Sequence, residues 1–414
     1  MLSGPAEGTR QDALDGASAC DIDADVSAAV RRTLEGILHG RLEEARAIDP
    51  AFAGDIADRV ARFTLRGGKR IRSQFLWWGL RACAGGAGPG RADAALRLAA
   101  GLELIQTCAL VHDDVMDGSP LRRGRDAVHV DLQNQYGPYE KQRFGTAATQ
   151  GQDFGTAATQ GQDFGTAAAI LAGDLALSWA DDVVAATALD AVRAPRVRGL
   201  WRAMRAEMVA GQYLDLRAQA TGARSMTGAV RTAVLKTALY SVERPLALGA
   251  ALAGADDATT GALCSAGRCA GIAFQLRDDL FGAFGDPGET GKPSGDDIRD
   301  GKGTYLLAVA TARAEAAADH DVLALLDRCV GRADLADDDV HRVREAFVTT
   351  GARGIVEDKI GRLVRQAHRH LAAGALVPHA DRRLHELFCR VAGLPVSSEA
   401  TVAAHLPRTE SGSR

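Results

Sequence analysis

Apolar residues recur at spacings of three and four along most of the chain, which is the pattern of amphipathic helices. The pattern is clearest over residues 95–110, 167–186, 200–216 and 356–371. Alternating apolar and polar residues, which would indicate strands, are almost absent. Aromatic residues make up only 5% of the chain while Ala and Leu recur throughout, so propensity also favours helix over sheet. We therefore predict one all-α domain of ten or more helices.

Both ends of the chain lack this periodicity. Residues 1–24 and 395–414 are rich in small and polar residues, which predicts flexible or disordered tails around one domain over 25–394. Within that domain the decapeptide FGTAATQGQD at 144–153 recurs unchanged at 154–163, and a third copy begins at Phe164. Two full copies are too few for a solenoid. We predict a tandem duplication that lengthens one surface connection, which costs a fold little.

The overall charge excludes a general attraction to polyanions. The formal net charge is −4, so we expect no binding to nucleic acid or anionic membranes, and a phosphate site would need a local cluster of cations. The seven cysteines are spread without zinc-type spacing, which favours reduced thiols. We find no basic segment followed by an apolar run at the N-terminus and no apolar stretch that approaches the length of a bilayer span. A cytoplasmic protein without a membrane span is the expectation.

A first acidic cluster follows a strongly apolar segment. Residues 102–117 (LELIQTCALVHDDVMD) predict a helix that ends in three acidic residues, Asp113, Asp114 and Asp117. Asp113 and Asp117 are one turn apart and share a helix face. Such close carboxylates repel one another unless cations lie between them, and hard oxygen ligands select Mg²⁺, which also bridges to phosphates. Three basic residues follow within a few positions: Arg122, Arg123 and Arg125. A metal-bridged diphosphate site is predicted; a solvated acidic helix end is the alternative.

A second acidic cluster has a similar setting. Residues 273–286 (AFQLRDDLFGAFGD) predict a helix that presents Asp278 and Asp279, with Gln275 one turn earlier. The following segment contains several glycines and two lysines: Gly288, Gly291, Gly295, Gly301, Gly303, Lys292 and Lys302. Glycine permits close approach of the backbone to a ligand, and lysine provides a point charge for phosphate. A plain surface loop would look the same in isolation, but two acidic clusters that are each followed by cations favour a shared phosphate site.

Together these segments resemble the trans-prenyl diphosphate synthase family, and especially actinobacterial geranylgeranyl diphosphate synthases, over about residues 30–392. The motifs occur in the family's order: GGKRIR at 67–72, HDDVMDGSPLRRG at 112–124, LAGD at 171–174, KT at 236–237, FQLRDD at 274–279 and TGKPSGDDIRDGK at 290–302. The resemblance implies the isoprenoid synthase fold, an antiparallel helical bundle around a central cavity, usually as a homodimer. It also implies a prenyltransferase that joins isopentenyl diphosphate to an allylic diphosphate.

The resemblance assigns roles residue by residue. Three Mg²⁺ ions are implied, two held by Asp113, Asp114 and Asp117 and one held by Asp278, with Asp279 close by. The side chains implied to contact the allylic diphosphate are Arg122, Lys236 and Lys292. Those implied to bind isopentenyl diphosphate are Lys69, Arg72, Gln106 and Arg123, and Lys302 is a further substrate-binding lysine. Oxygens of Lys236, Thr237 and Gln275 would steady the allylic cation. The departing diphosphate takes the final proton in this family, so no side-chain base is assigned.

Three positions bear on activity and product. The second motif carries Gly282 where the family usually has an aspartate, which removes one carboxylate near the third metal; we expect activity to be retained. Cys108 and Ala109 stand one turn before Asp113, where the family sets the floor of the product cavity, and both are small. We predict a product longer than farnesyl diphosphate, namely geranylgeranyl diphosphate. A longer or shorter product stays open, because deeper floor residues, such as Leu104, are not identified.

Two other classes compete with this hypothesis. A class I terpene cyclase also uses an aspartate-rich helix and three Mg²⁺ ions, but it binds one diphosphate and does not need the cations of GGKRIR and RRG. A non-catalytic synthase subunit usually lacks one or both aspartate pairs, and both pairs are present here.

Overall fold

The computed structural model describes residues 19–88, 90–144, 157–285 and 295–396. Over these residues the protein is almost entirely helical, and the one sheet is a hairpin of two-residue strands, β1 (Leu121–Arg122) and β2 (Arg125–Asp126). The helices in chain order are α1 (Ala19–Ala24), α2 (Val26–Ile48), α3 (Pro50–Phe52), α4 (Asp58–Leu65), α5 (Ile71–Arg81), α6 (Arg91–Met116), α7 (Val128–Phe144), α8 (Ala157–Ala185), α9 (Arg193–Thr221), α10 (Met226–Ala233), α11 (Arg244–Ala253), α12 (Asp257–Phe284), α13 (Asp296–Arg299), α14 (Tyr305–Ala316), α15 (His320–Cys329), α16 (Asp337–Thr349), α17 (Ala352–Ala372) and α18 (Pro378–Val391).

The all-α prediction is confirmed. The four most periodic segments fall within α6, α8, α9 and α17, apart from residue 186, which follows the last residue of α8. Lys292 and most of the first two repeat copies lie outside the described residues, so the prediction of a lengthened surface connection stays a prediction. The end of the second copy and the start of the third form the first turns of α8.

The apolar faces of the helices bury two adjoining cores. The larger core is built mainly from α2, α5, α6, α8, α9 and α11, and the smaller one from α14 to α17. The long helix α12 belongs to both, because Leu263 and Ala270 pack into the larger core while Leu276 and Leu280 pack into the smaller one. Burial of these side chains supplies most of the driving force for folding.

Helix α6 runs through the larger core and carries the first acidic cluster at its C-terminal end. Leu98, Leu102 and Ile105 on this helix are fully buried. Its 26 residues are long and apolar enough to cross a membrane by length and composition, so the expectation that no apolar stretch approaches that length is wrong. However, 72% of its apolar window is buried inside the protein, as in the core helix of a soluble protein. The apolar character of α6 is therefore explained by its place in the core.

The helical part of the chain begins earlier than expected. The prediction of a disordered tail is wrong for residues 19–24, which form α1, with Ile22 only 1% exposed. The Asp23 carboxylate accepts hydrogen bonds of 2.9 Å from Trp77 Nε1 and from Arg81 Nη2. A single helical turn is too short to show periodicity in the sequence, and tertiary contacts of this kind stabilise it.

Helices α10 and α11 are joined without a break by a π-helical segment, Val234–Glu243. A Cβ atom on Gly211 of α9 would lie 2.7 Å from Lys236 Cα, and one on Gly271 of α12 would lie 2.5 Å from Ala238 Cα. Both distances are shorter than real side-chain contacts, so glycine is what permits α9 and α12 to pack this closely. The π-helical segment is thus held between two helices, and it carries the KT motif.

A histidine pair between α17 and α18 predicts a pH-dependent stability. The rings of His368 and His385 lie 4.2 Å apart, His385 Nε2 is 3.4 Å from Asp381 Oδ1, and Cys389 Sγ is 4.0 Å from His368 Nε2. Burial, followed by the charge of His385, lowers the pKa of His368 to about 4. An unfolded histidine has a pKa of about 6.5, so its contribution is fully present above that pH and is lost as the pH falls towards 4.

We expect this histidine to cost about 2 kcal/mol of the free energy of unfolding at pH 5 relative to pH 7.5. Urea denaturation at the two pH values measures the loss. The variant His368→Gln is expected to lose less on acidification than the parent, whereas the exposed control His341→Gln is expected to lose as much as the parent. If the parent and His368→Gln lose the same free energy of unfolding on acidification, another group causes the loss of stability at low pH.

Candidate active site

The end of α6 places Asp113 at a junction of three elements. Its carboxylate accepts a hydrogen bond of 3.2 Å from Lys236 Nζ on the π-helical segment and one of 3.0 Å from Gln212 Nε2 on α9. Arg122 Nη2 lies 3.5 Å from the other carboxylate oxygen. Lys236 also donates to Asp215 of α9 at 2.6 Å. The predicted residues Asp113, Arg122 and Lys236 therefore lie together.

A tight hairpin after α6 positions Arg122. The chain turns at three residues with positive φ, namely Gly118, Arg123 and Gly124. Arg122 Nε then donates a 2.7 Å hydrogen bond to Asp114 Oδ1, and Nη2 of the same side chain donates to the same oxygen. The Asp114 side chain is only 1% exposed. Asp114 thus fixes Arg122 beside the first acidic cluster.

Lys302 reaches the same cluster from the distal segment of the chain. Its ammonium lies 3.3 Å from Asp117 Oδ2, 3.3 Å from Asp297 Oδ1 and 3.7 Å from Asp300 Oδ2. The short helix α13, flanked by Gly295 and Gly301 with positive φ, holds this group of side chains. Lys302 therefore connects the first acidic cluster to the segment that follows the second one.

The second cluster is linked to the π-helical segment by a chain of hydrogen bonds. The Thr237 hydroxyl donates to Gln275 Oε1, and Gln275 Nε2 donates to Asp279 Oδ1 at 2.7 Å. Asp278 lies beside Asp279 at the exposed surface of α12, whereas Asp279 is buried. Because Lys236 and Thr237 are adjacent, one short segment contacts Asp113 on one side and the partner of Asp279 on the other. The structure thus brings the two acidic clusters to one site.

The site contains more carboxylates than cationic side chains. Burial alone would raise the pKa of Asp113, but Lys236, Lys302 and Arg122 lower it below its ordinary value. Burial raises the pKa of Asp117 despite Lys302, and it raises the pKa of Asp279 to about 8 and that of Asp300 to about 6. Burial opposes the charge of Lys302, but Asp297, followed by Asp117, Asp113 and Asp300, raises the pKa of Lys302 well above its ordinary value. The raised pKa values of Asp117, Asp279 and Asp300 mean that their charged forms lack sufficient positive charge nearby. Further cations bound beside them would stabilise these charged forms.

The donor set fits Mg²⁺. Both oxygens of Asp117 are buried, and in the described part of the chain their contact is the ion pair of Oδ2 with Lys302. The described residues contain no group of three acidic, histidine or cysteine side chains that would enclose a metal ion by themselves. Mg²⁺ sites are usually built from one or two carboxylates together with waters and substrate phosphates. Carboxylates that are contributed singly, with phosphate oxygens and waters as the remaining ligands, therefore suit this ion.

A second group of cations lies towards α5. Arg72 stacks on the Tyr240 ring at 4.4 Å and donates to Ser241 Oγ at 2.7 Å, while Arg123 lies 5.4 Å from the centre of the Phe63 ring. Burial lowers the pKa of Arg123, Glu103 raises it, and three neighbouring arginines, Arg122, Arg70 and Arg72, lower it further. Lys69 is exposed, and Gln106 Oε1 is buried with no hydrogen-bond partner among the described residues. This surplus of positive charge suits a diphosphate that binds without metal.

The predicted cavity floor lies on α6 just before Asp113. Cys108 is buried, with its Sγ 3.7 Å from His112 Nδ1, and Ala109 is half-buried. Burial, followed by Asp174, raises the pKa of the Cys108 thiol to about 12, so this cysteine is not a nucleophile. A Cβ atom on Gly173 of α8 would lie 2.9 Å from His112 Cε1, so the LAGD motif permits α8 to pack against this part of α6.

Four side chains of the site were not predicted from the sequence: Gln212, Asp215, Asp297 and Asp300. Gln212 and Asp215 are three residues apart on α9 and share one face of the helix, which is the only local sign of them. Asp297 and Asp300 lie in the motif at 290–302, whose glycines and lysines were the basis of the predicted phosphate site.

Comparisons with known proteins find relatives of this chain in sequence and in structure. Residues 55–346 match the family model described as polyprenyl synthetase. A geranylgeranyl diphosphate synthase of Mycobacterium tuberculosis is 30% identical over 391 residues, covering 91% of this chain and 97% of that protein. A geranylfarnesyl diphosphate synthase of Aeropyrum pernix is 28% identical and covers 81% and 93%. A crystal structure of geranylgeranyl pyrophosphate synthase from Corynebacterium glutamicum, complexed with isoprenyl diphosphate and magnesium, superposes with a TM-score of 0.79 at 36% identity, covering 88% of this chain and 97% of that one.

Proposed function

Because the chain belongs to the polyprenyl synthetase family and is a trans-prenyl diphosphate synthase, we propose that it makes geranylgeranyl diphosphate from isopentenyl diphosphate and an allylic diphosphate. One observation carries this proposal. The segment that holds Lys236 and Thr237 contacts both acidic clusters, and a separate group of arginines lies beside the first cluster. Two diphosphates thus have two chemically different places to bind.

The allylic diphosphate would bind between the two acidic clusters. Arg122 and Lys236 are held there by Asp114 and Asp215, so their charges are positioned before the substrate arrives. Magnesium bound by Asp113, Asp117 and Asp278 would neutralise charge on the leaving oxygen. Lys302 provides a further ammonium at the same place. Pre-positioned charges of this kind typically contribute ~3–4 kcal/mol each to transition-state stabilisation.

Isopentenyl diphosphate would bind to the arginine group. Arg72 is oriented by Tyr240 and Ser241, and Arg123 lies over Phe63, so both guanidinium groups are restrained. Gln106 and Lys69 complete the proposed pocket. Holding the double bond of this substrate beside the allylic carbon supplies ~7–11 kcal/mol of barrier reduction in favourable cases.

The allylic cation needs oxygen atoms nearby and no free water. Thr237 and Gln275 are hydrogen-bonded to each other, which fixes their oxygens beside Lys236. Water would otherwise convert the cation to an alcohol, and exclusion of water also strengthens the surrounding electrostatic interactions. The final proton would go to the departing diphosphate, as the family resemblance implies.

Incubation of the purified protein with Mg²⁺, labelled isopentenyl diphosphate and dimethylallyl, geranyl or farnesyl diphosphate tests the proposal. Elongated products of up to twenty carbons are the expected result, identified by mass. A cyclic hydrocarbon would indicate a terpene cyclase, and the absence of any product would indicate a non-catalytic subunit. A main product of fifteen or twenty-five carbons would retain the reaction and overturn the proposed chain length.

We expect the substitution Ala109→Phe to shorten the product, because a phenyl ring would extend from the half-buried face of α6 into the space for the growing chain. Fifteen-carbon products should replace twenty-carbon ones in the mass spectrum. Cys108→Ser, which hardly changes side-chain volume, is the control and should keep the parent distribution. If Ala109→Phe also keeps it, the floor lies elsewhere.

We further propose a cytoplasmic homodimer. Helix α8 exposes three large apolar side chains, Phe164, Ile170 and Leu171, with Leu171 61% exposed. A second copy of the chain would cover them. Light scattering of the purified protein measures the oligomeric state directly.

A further inference from the structure

We propose that Asp297 supplies the carboxylate that the second acidic cluster lacks at position 282. Glycine at position 282 leaves the space that the Asp297 carboxylate occupies. The inference rests on the proposed function, because it concerns cation binding at the same site. It makes the second cluster a set of Asp278 and Asp279 on α12 and Asp297 on α13. The missing residue would then be replaced in space by a residue distant in sequence.

The packing between α12 and α13 carries the proposal. A Cβ atom on Gly282 would lie 2.5 Å from Asp297 Cγ and would overlap one of the carboxylate oxygens of Asp297. Any residue other than glycine therefore needs the Asp297 carboxylate to move. Gly282 is one turn beyond Asp278 on α12, on the same face of the helix. The Asp297 carboxylate consequently occupies the volume into which an aspartate at position 282 would extend.

Contacts on the far side of Asp297 direct it towards the first cluster. Two of the ion-pair contacts of Lys302 Nζ, those with Asp297 Oδ1 and Asp117 Oδ2, are 3.3 Å long. The Asp117 side chain is only 2% exposed, and the ion pair with Lys302 is the contact that the described segments give its oxygens. A buried carboxylate that shares the ammonium of Lys302 with Asp297 thus faces the same space.

Asp297 would make the same contact with Lys302 if its role were only to hold that lysine in place. The test must therefore distinguish a carboxylate that binds Mg²⁺ from one that only positions Lys302. The readout is the Mg²⁺ concentration that gives half of the thermal stabilisation by Mg²⁺ and inorganic pyrophosphate. Asp297→Asn is expected to raise this concentration about 10-fold or more, as losses in a metal's environment usually do. Its melting temperature without Mg²⁺ should stay near that of the parent.

The decisive variant moves the carboxylate back to α12. In Gly282→Asp/Asp297→Gly the new aspartate has room, and we expect the half-stabilising Mg²⁺ concentration to return to within about threefold of the parent. Gly282→Asp alone should bind Mg²⁺ less well than the double variant, because two carboxylates then compete for one volume. Asp296→Asn, which changes the neighbouring acidic residue of α13, is the matched control and should resemble the parent.

The outcomes distinguish this inference from the proposed function. The single variant Asp297→Gly, which loses the carboxylate without replacement, is the reference for the double variant. Suppose that the parent shows Mg²⁺-dependent stabilisation and prenyl transfer but the double variant needs as much Mg²⁺ as Asp297→Gly. Asp297 then only supports Lys302, and the inference is overturned. A parent-like Mg²⁺ response of Asp297→Asn would overturn it as well. If the parent shows neither Mg²⁺-dependent stabilisation nor prenyl transfer, the proposed function fails and the inference fails with it.

Discussion

Replacement of Asp113 by asparagine is expected to lower kcat/KM for the condensation about 10²- to 10³-fold, the usual effect of losing one pre-positioned electrostatic contact in an active site. The Asp113 carboxylate is the point where Lys236, Gln212 and Arg122 meet. The substitution removes the charge that these groups neutralise and that a divalent cation would use. Lys236 keeps its 2.6 Å contact with Asp215, so the ammonium should stay close to its position.

Steady-state kinetics at saturating Mg²⁺ measure this effect, with melting temperature as a check on folding. Asp93→Asn is a suitable control because Asp93 is an exposed aspartate in the first turn of the same helix, far along the axis from the site. It should keep the parent's kcat/KM. An Asp113→Asn enzyme as active as this control would remove Asp113 from the proposed catalytic set.

The second large effect concerns stability and the middle of the GGKRIR motif. Arg70 Nη1 lies 3.2 Å from Glu103 Oε2, and the two side chains are only 4% and 9% exposed. Ser73 Oγ donates a 2.6 Å hydrogen bond to the same carboxylate. Arg70→Met would leave Glu103 buried without its counter-charge, and breaking a buried pair in this way typically costs about 3–5 kcal/mol. We expect a loss of that size in the free energy of unfolding.

Urea denaturation measures the loss, and two further variants interpret it. Arg31→Met removes an arginine from an exposed pair with Glu35, whose side chains are 61% and 48% exposed, and should cost at most about 1 kcal/mol. Arg70→Met/Glu103→Gln removes both charges and should recover part of the loss. If Arg70→Met costs no more than Arg31→Met, the buried pair contributes little.

The sequence was most informative where function and local pattern coincide. Helix α6 could be predicted because its apolar residues are periodic and its acidic end is compact, and Asp113, Asp114 and Asp117 are within four residues of one another. The same holds for Asp278 and Asp279 at the end of a periodic stretch. In these places the helix repeat alone decides which side chains share a face.

Side chains that depend on distant packing could not be predicted in the same way. Asp215 is an isolated acid on α9, and only the close packing permitted by Gly211 places it beside Lys236. The helix α1 was missed because its stability depends on the contacts of Asp23 with Trp77 and Arg81. Gly282 looked like a lost carboxylate because a linear motif does not show which residue fills the space beside a glycine. Such features are set by tertiary contacts, which sequence patterns do not encode locally.

The π-helical segment that carries Lys236 and Thr237 has a consequence for how this gene tolerates change. Each residue added to or removed from a helix turns everything beyond it by about 100°. A single-codon deletion between α10 and Lys236 would therefore rotate the lysine away from Asp113, even if every remaining amino acid were unchanged. A substitution here alters one side chain, whereas an insertion or deletion changes the direction in which several side chains point. Natural variation in this stretch should consist of replacements, with its length preserved.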